Sequence, residues 1–166
     1  SQSSTGSILD CKKQGKVYIH KAIVDKGSIK TGDVIKMSVE KEKRSAIAIH
    51  HSSTHLVHAA LRAVLGDHVQ QKGSLVDENK LRFDFSHTKP LTKEEITKIE
   101  DIVNKEALKN LEVKTELMKL DDALKSGAMA LFGEKYDDDV RVLTMGENSY
   151  SVELCGGTHV LSLIHI

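Results

Sequence analysis

The sequence lacks an excess of charge of either sign. Its 24 lysine and arginine residues are balanced by 24 aspartate and glutamate residues in a chain of 166. A protein that binds nucleic acid over a broad surface usually carries a basic excess. Any affinity for RNA must therefore be local, or must come from segments outside this chain.

A leader and a membrane span are missing as well. The sequence has no charged-then-apolar start with a cleavage site, and no apolar run long enough to cross a bilayer. We therefore expect a soluble, cytoplasmic protein. Cysteine is also scarce, with only Cys11 and Cys155 present. In a reducing compartment, thiol or metal chemistry is a better expectation for at least one of them than a disulfide.

Both ends of the sequence are expected to be cut. The chain starts with small polar residues and no initiator methionine. Residues 161–166 match what one reading frame of a common sequencing-library transposon end encodes, so we expect them to be a non-native tail. His165 is therefore left out of the site predictions.

Short apolar runs separated by glycine occupy the first forty or so residues. The clearest are 17–24 and 34–39, and they predict strands that belong to part of a small antiparallel barrel. The composition of the sequence then changes. Residues 46–65 contain neither glycine nor proline, and Gly66 follows them. This stretch predicts a helix that ends at a C-terminal glycine.

A second helix is predicted to start at a capping box. Thr92 is followed three residues later by Glu95, and apolar residues recur after them at helical spacing. One face of this helix should be buried, and it should end near Asn110. The predicted inner residues are Ile96, Ile99, Ile102, Val103 and Ala107.

Predicted strands lie on both sides of this second helix. The runs 70–76 and 80–85 precede it, a short helix at 121–125 follows it, and a hairpin of 140–145 with 150–154 comes last. Strands and helices do not alternate regularly, so the pattern favours the α+β class. We expect an antiparallel sheet with helices packed on it, preceded by part of a small β-barrel.

Two short segments carry the residues that suggest chemistry. In His51-Ser-Ser-Thr-His55 the imidazoles are four residues apart, so on a helix they project from one face. In Cys155-Gly-Gly-Thr-His159 the glycines allow a sharp turn, so sulfur and nitrogen can reach one ion from a loop. Together these atoms form a borderline-soft tetrahedral set that suits Zn2+. We predict a zinc site of His51, His55, Cys155 and His159.

Other interpretations of these segments stay open. The zinc could be purely structural, although the apolar content of the chain is enough for folding without a metal. A zincin-type peptidase is disfavoured, since Ser52 stands where such an enzyme has its glutamate. His58 either orients a ligand or the substrate, or is simply a packed histidine. His50 is expected to point away from the site, with mostly a surface role.

Five sequence blocks occur in a fixed order between residues 44 and 160. They are His51-Ser-Ser-Thr-His-Leu-Val-His-Ala-Ala-Leu61, Gln70-Gln-Lys-Gly-Ser74, Leu81-Arg-Phe-Asp-Phe-Ser-His87, Gly127-Ala-Met-Ala-Leu-Phe-Gly-Glu-Lys-Tyr136 and Glu153-Leu-Cys-Gly-Gly-Thr-His-Val160. In this order they resemble the editing domain of alanyl-tRNA synthetases. The fourth block, and a threonine before His159, favour this family over threonyl-tRNA synthetases.

The resemblance implies an activity. Residues 1–43 correspond to the C-terminal part of a small β-barrel domain, and 44–160 to an editing domain that hydrolyses the ester of Ser-tRNA(Ala) and Gly-tRNA(Ala). Such a second site is needed because an alanine pocket cannot exclude glycine and rejects an added hydroxyl only weakly. The implied partners are this mischarged tRNA and the remaining synthetase domains, which the sequence does not contain. Thr54 and Gln71 are the residues that the resemblance places in the substrate pocket.

Several functions remain alternatives at this point. The chain could be a free-standing alanyl-tRNA editing protein or the editing domain of a threonyl-tRNA synthetase. In a different class, it could be a zinc-stabilised RNA-binding module without catalysis. The zinc could polarise the ester carbonyl, activate a water or hold the substrate. Four protein ligands leave no open position, so a catalytic zinc requires an expanded shell or a departed ligand. No catalytic residue is assigned.

Overall fold

The computed structural model describes residues 4–15, 17–130 and 135–166. The chain divides into two compact units, one up to Ser38 and one from Val39 onward. Residues 131–134, in the fourth of the five sequence blocks, lie outside the described part.

The first unit contains one antiparallel hairpin. Strand β1 (Thr5–Gln14) pairs with β2 (Val17–Lys26), which includes the predicted strand at 17–24. The predicted strand at 34–39 is wrong, since no strand forms there. An alternating apolar run becomes a strand only where a neighbour supplies hydrogen bonds, and here Val34 is fully exposed. Two paired strands do not close a barrel, so the barrel stays a prediction.

The second unit begins with the longest helix. Helix α1 (Lys41–Leu65) starts five residues before the predicted 46, because its first turn is charged and exposed and carries no apolar periodicity. Lysine, glutamate and arginine are nevertheless good helix formers. The predicted glycine end is confirmed: Gly66 has a φ of 113°, and its N–H donates to the carbonyl of Arg62.

The capping box of the second helix is confirmed. In α2 (Lys93–Leu108), the Thr92 hydroxyl accepts from the Glu95 N–H at 3.1 Å, and the Glu95 carboxylate accepts from the Thr92 N–H at 2.8 Å. Ile99 is buried as predicted. The prediction for Ile96 is wrong, since it is 42% exposed. The apolar cluster on this face starts one turn later, at Ile99.

The remaining elements form two small antiparallel sheets and a short helix. Strands β3 (Gln71–Val76) and β4 (Leu81–Phe85) make a hairpin. Strands β5 (Lys114–Lys119), β6 (Asp139–Met145) and β7 (Ser151–Leu154) form a sheet in that order, and α3 (Leu120–Lys125) follows β5. Helices α1 and α2 pack together, and α1 also contacts β3, β4 and β7. The predicted α+β class is confirmed.

One apolar cluster joins the two segments that carry the predicted site. Leu56 of α1 and Leu143 of β6 are fully buried in it, and Val160, which follows His159, is buried there to a lesser degree. Leu163 of the segment 161–166 also packs there. An apolar tail of any origin packs against exposed apolar surface, so the non-native assignment of 161–166 stays a prediction. None of the described helices combines the length and apolar character needed to cross a bilayer.

Candidate metal centre

The structure brings together all four residues that the sequence predicts as ligands. One potential ligand atom from each of His51, His55, Cys155 and His159 lies within 4.8 Å of all the others. The Cys155 Sγ atom is 3.5 Å from Nε2 of His51 and 3.2 Å from Nε2 of His159. The two histidines of α1 are one turn apart, and the other pair lies in the loop after β7.

The glycine-containing loop is shaped by a close approach and by an arginine. A Cβ atom on Gly157 would overlap the ring of His51, so only glycine fits. Arg141 of β6 donates from Nε to the Cys155 carbonyl at 2.8 Å and from Nη2 to the Gly157 carbonyl. The Cys155 N–H donates to the carbonyl of Arg141 at 3.0 Å. These bonds fix the direction in which the loop presents its sulfur.

A buried carboxylate lies behind one of the ligands. Glu153 of β7 is 3% exposed, and its Oε2 accepts from Nδ1 of His55 at 2.8 Å. Its Oε1 accepts from Nδ1 of His58 at 3.0 Å. His58 is thus a packed histidine that shares a carboxylate with a predicted ligand. Sequence reasoning missed Glu153, although a charged residue two positions before Cys155 in a buried strand was a usable signal.

The ionisation of these groups suits a metal-binding site. Burial raises the pKa of the Cys155 thiol, but hydrogen bonds from the surrounding histidines outweigh it and bring the pKa to about 3. Burial likewise opposes ionisation of Glu153, yet the two histidines bonded to it lower its pKa to about 2. Burial lowers the pKa of His159. A thiolate, a carboxylate and a neutral imidazole are the forms that metal sites require.

The pKa of His55 is raised, because two acidic groups lie beside it. Burial lowers its pKa, but the neighbouring Cys155 thiolate and Glu153 carboxylate prevail and raise it to about 9. Its Nε2 atom is buried without a hydrogen-bond partner in the described part of the chain. A buried nitrogen that lacks a partner is costly, and an ion bound between the four residues would supply one. Nε2 of His58 lacks a partner in the described part of the chain as well, so the fit to a metal site rests on the convergence of His55 with the other three donors.

Two of the sulfur–nitrogen distances in the cluster fit zinc, whereas the four donor atoms as a set are separated by up to 4.8 Å. In a tetrahedral zinc site with Zn–N near 2.0–2.1 Å and Zn–S near 2.3 Å, neighbouring donors lie about 3.3 to 3.6 Å apart. The two sulfur–nitrogen distances of 3.5 and 3.2 Å are close to this range. Three imidazole nitrogens and one thiolate are also a donor set that zinc accepts.

Comparison with known proteins places these residues in a family context. Residues 140–166 match the family described as "Threonyl and Alanyl tRNA synthetase second additional domain". The chain is 55% identical over 152 residues to the alanine–tRNA ligase of Ruthia magnifica subsp. Calyptogena magnifica. Similar alanine–tRNA ligases occur in Rhodopseudomonas palustris, 54% identical over 158 residues, and Parvibaculum lavamentivorans, 56% identical over 155 residues. The chain resembles one segment of alanine–tRNA ligases.

The match covers most of this chain but only a small part of each alanine–tRNA ligase. The alignments cover 92%, 90% and 90% of this chain but only 18%, 18% and 17% of the three alanine–tRNA ligases. The chain thus spans less than a fifth of their length. The matched residues 140–166 contain β6 from its second residue onward, all of β7 and the loop with Cys155 and His159.

The resemblance implies two pocket residues. Thr54 precedes the ligand His55 in α1, and Gln71 lies on the β3–β4 hairpin, which contacts α1. Thr54 is buried in α1, and its hydroxyl donates to the carbonyl of His50 at 2.9 Å. Gln71 begins β3, and its Nε2 donates to the Ser74 hydroxyl at 3.2 Å. No described hydrogen bond or ring contact joins either side chain to the four ligands, so their place in a substrate pocket stays a prediction.

His50 lies away from the four ligands. Its Nδ1 atom is 2.7 Å from the carbonyl of Asp77, in the turn between β3 and β4. It is partly buried rather than a surface residue. Its contact connects the middle of α1 to the β3–β4 hairpin.

Proposed function

We propose that this chain is an editing domain that hydrolyses the ester bond of Ser-tRNA(Ala) and Gly-tRNA(Ala) at a zinc-containing site. The observation that carries the proposal is the meeting of three histidines and one cysteine in a chain that resembles alanine–tRNA ligases. In this proposal residues 44–160 form the editing domain and 1–43 belong to a small β-barrel domain. The predicted cytoplasmic location is part of the same proposal.

Each residue of the centre has a specific task in this proposal. Zn2+, when bound, supplies positive charge that can orient and polarise an ester or a water. His51, His55, Cys155 and His159 are the residues that would hold it. Glu153 keeps the proton of His55 on Nδ1, so that Nε2 remains an acceptor facing the other donors. Arg141 holds the loop that presents the thiolate.

Substrate selection is the second part of the proposal. Glycine and serine both enter an alanine pocket at appreciable rates, so hydrolysis must remove both while sparing alanine. Thr54 and Gln71 are proposed to recognise the serine hydroxyl. The partners are the mischarged tRNA and the other domains of a synthetase.

The proposal is tested by deacylation. The purified zinc-loaded chain is incubated with Ser-tRNA(Ala), Gly-tRNA(Ala) and Ala-tRNA(Ala), and the remaining ester is followed over time. We expect loss of the seryl and glycyl esters to exceed both the spontaneous rate and the loss of the alanyl ester. Zinc binding with no deacylation would instead support the non-catalytic RNA-binding module, which the closed set of four ligands also permits.

A further inference from the structure

The four proposed ligands differ in how the protein holds them. Nδ1 of His55 donates to Glu153 at 2.8 Å, and Nδ1 of His159 lies 3.3 Å from the hydroxyl of Ser52. The backbone carbonyl and the backbone N–H of Cys155 are both hydrogen-bonded to Arg141. A hydrogen bond on the far side of a ligand fixes its tautomer and its direction. We call these bonds supporting hydrogen bonds.

The two side chains that make these supporting hydrogen bonds, Glu153 and Ser52, are buried, and each makes a further hydrogen bond. Glu153 is 3% exposed and also accepts from His58 at 3.0 Å. Ser52 is 0% exposed, and its hydroxyl also accepts from the Val160 N–H at 3.1 Å. Neither group can turn away without leaving buried polar atoms unpaired, which is unfavourable. Two of the ligands are therefore held by a second layer that is rigid.

His51 is different. Within residues 4–15, 17–130 and 135–166, its only hydrogen-bond neighbour is the Cys155 sulfur on Nε2, and its Nδ1 has none. One side of the ring packs against Gly157, which has no side chain that could orient it. The ring is partly buried, as Cys155 and His159 are, so the difference lies in the hydrogen bonds and not in the burial. His51 is positioned by packing and by the other ligands alone.

From this asymmetry we infer that His51 is the exchangeable member of the ligand set, whereas His55, Cys155 and His159 form its permanent part. This inference rests on the proposed function and deepens it. Catalytic zinc sites keep three protein ligands and one open position, whereas four fixed ligands are typical of structural sites. An exchangeable His51 reconciles a four-residue cluster with a hydrolytic role.

Zinc affinity of matched variants tests the inference without any activity assay. The full chain is titrated with Zn2+ against a competing chelator, and the same is done for His51→Ala, His55→Ala, Glu153→Gln and Ser52→Ala. Loss of a supporting group typically weakens metal binding by about 10- to 100-fold. We expect Glu153→Gln and Ser52→Ala to show that loss and His55→Ala a larger one. His51→Ala should keep one zinc per chain and lose less affinity than Glu153→Gln.

Cobalt substitution supplies a second readout. Co2+ bound to a thiolate gives a sulfur-to-metal absorption band, so the band in His51→Ala should persist with changed ligand-field bands, and it should disappear in Cys155→Ala. If His51→Ala does not fold, judged by circular dichroism, His51→Gln serves for the same comparison. An affinity loss for the His51 variant as large as that of His55→Ala would overturn the inference and leave the proposed zinc site standing. A wild-type chain that binds no Zn2+ would overturn both the inference about His51 and the proposed zinc site.

Discussion

At Gly157 the missing side chain allows the two ligand segments to approach each other. A Cβ atom there would overlap the imidazole of His51, whereas one on the neighbouring Gly156 would meet no atom of the described residues within 4 Å. The loop cannot easily move aside, because Arg141 bonds to the carbonyls of both Cys155 and Gly157. The two adjacent glycines therefore have different importance.

Gly157→Ala is expected to destabilise the protein. The added methyl group must displace the His51 ring or the bonded loop, and overpacking of this kind costs about 1 to 3 kcal/mol. Gly156→Ala should change the free energy of unfolding by less than about 0.5 kcal/mol. Urea denaturation of the two variants measures the difference. Equal effects would show that the close approach to His51 is relieved without strain.

The sequence was informative about the ligands but not about the residues that support them. His51 with His55, and Cys155 with His159, are each four residues apart, so their spacing can be recognised directly. Glu153 meets His55 across 98 positions of the chain. A contact between such distant positions leaves no periodic signal in one sequence. The charge of Glu153 in an otherwise uncharged strand marks the residue as unusual, but its partner becomes visible only when β7 is placed against α1.

A second prediction at the residue scale concerns how the proposed pocket recognises the hydroxyl of serine. The Thr54 hydroxyl donates a hydrogen bond to the backbone carbonyl of His50, so its lone pairs remain available to accept from a substrate hydroxyl. A polar group left unpaired when alanine binds costs about 1 to 3 kcal/mol, which corresponds to a preference of roughly tenfold or more. We therefore expect Thr54→Val or Gln71→Ala to change the ratio of seryl to alanyl hydrolysis while zinc content stays normal.

Parallel rates with Ser-tRNA(Ala), Gly-tRNA(Ala) and Ala-tRNA(Ala) measure this effect. Glycine has no hydroxyl, so its removal should respond differently from that of serine. If both variants left the serine-to-alanine ratio unchanged, selectivity would have to come from pocket shape or tRNA contacts. The assignment of Thr54 and Gln71 would then be wrong.

At the scale of elements, a helix end is predictable from the sequence when a specific side-chain signal marks it, and less so when none does. The start of α2 was identified because Thr92 and Glu95 form reciprocal bonds over three residues. The start of α1 was placed too late because its first turn is charged and solvent-exposed. The strand predicted at 34–39 failed for another reason, since strand formation depends on a partner that local sequence does not specify.

The capping box of α2 gives a prediction at the element scale. Thr92→Ala removes the acceptor for the Glu95 N–H, and loss of an N-cap costs typically about 1 kcal/mol. Because α2 packs against the ligand-bearing α1, the whole second unit should lose that amount of stability. Thr97→Ala, at an exposed position inside the same helix, should be neutral or slightly stabilising, since alanine is the better helix former.

Thermal unfolding followed by circular dichroism compares these two threonine variants. A Thr92→Ala variant as stable as Thr97→Ala would mean that water replaces the cap without loss. In that case the box would mark the helix start without contributing to its stability.

On the scale of the whole molecule, folding and metal binding involve largely different residues. The buried apolar residues of the described chain form three clusters, which pack without any contribution from a metal ion. Cys155 only packs against the edge of one cluster. Burial of apolar area is the main driving force of folding. The second unit should therefore fold before and without the ion, unlike a zinc finger.

Removal of the metal or of the thiol should consequently abolish zinc-dependent function without unfolding the protein. We expect Cys155→Ala to bind zinc weakly and to lose serine removal, while its circular dichroism spectrum and cooperative melting persist. The wild-type chain should melt higher with zinc than after chelation, because a ligand at 100 times its Kd stabilises the folded state by about 2.7 kcal/mol. Cys11→Ala, at an exposed position in the first unit, is the matched control and should behave as wild type in both assays. Global unfolding of Cys155→Ala would instead identify a structural zinc, and full activity of that variant would show that the thiolate is not needed.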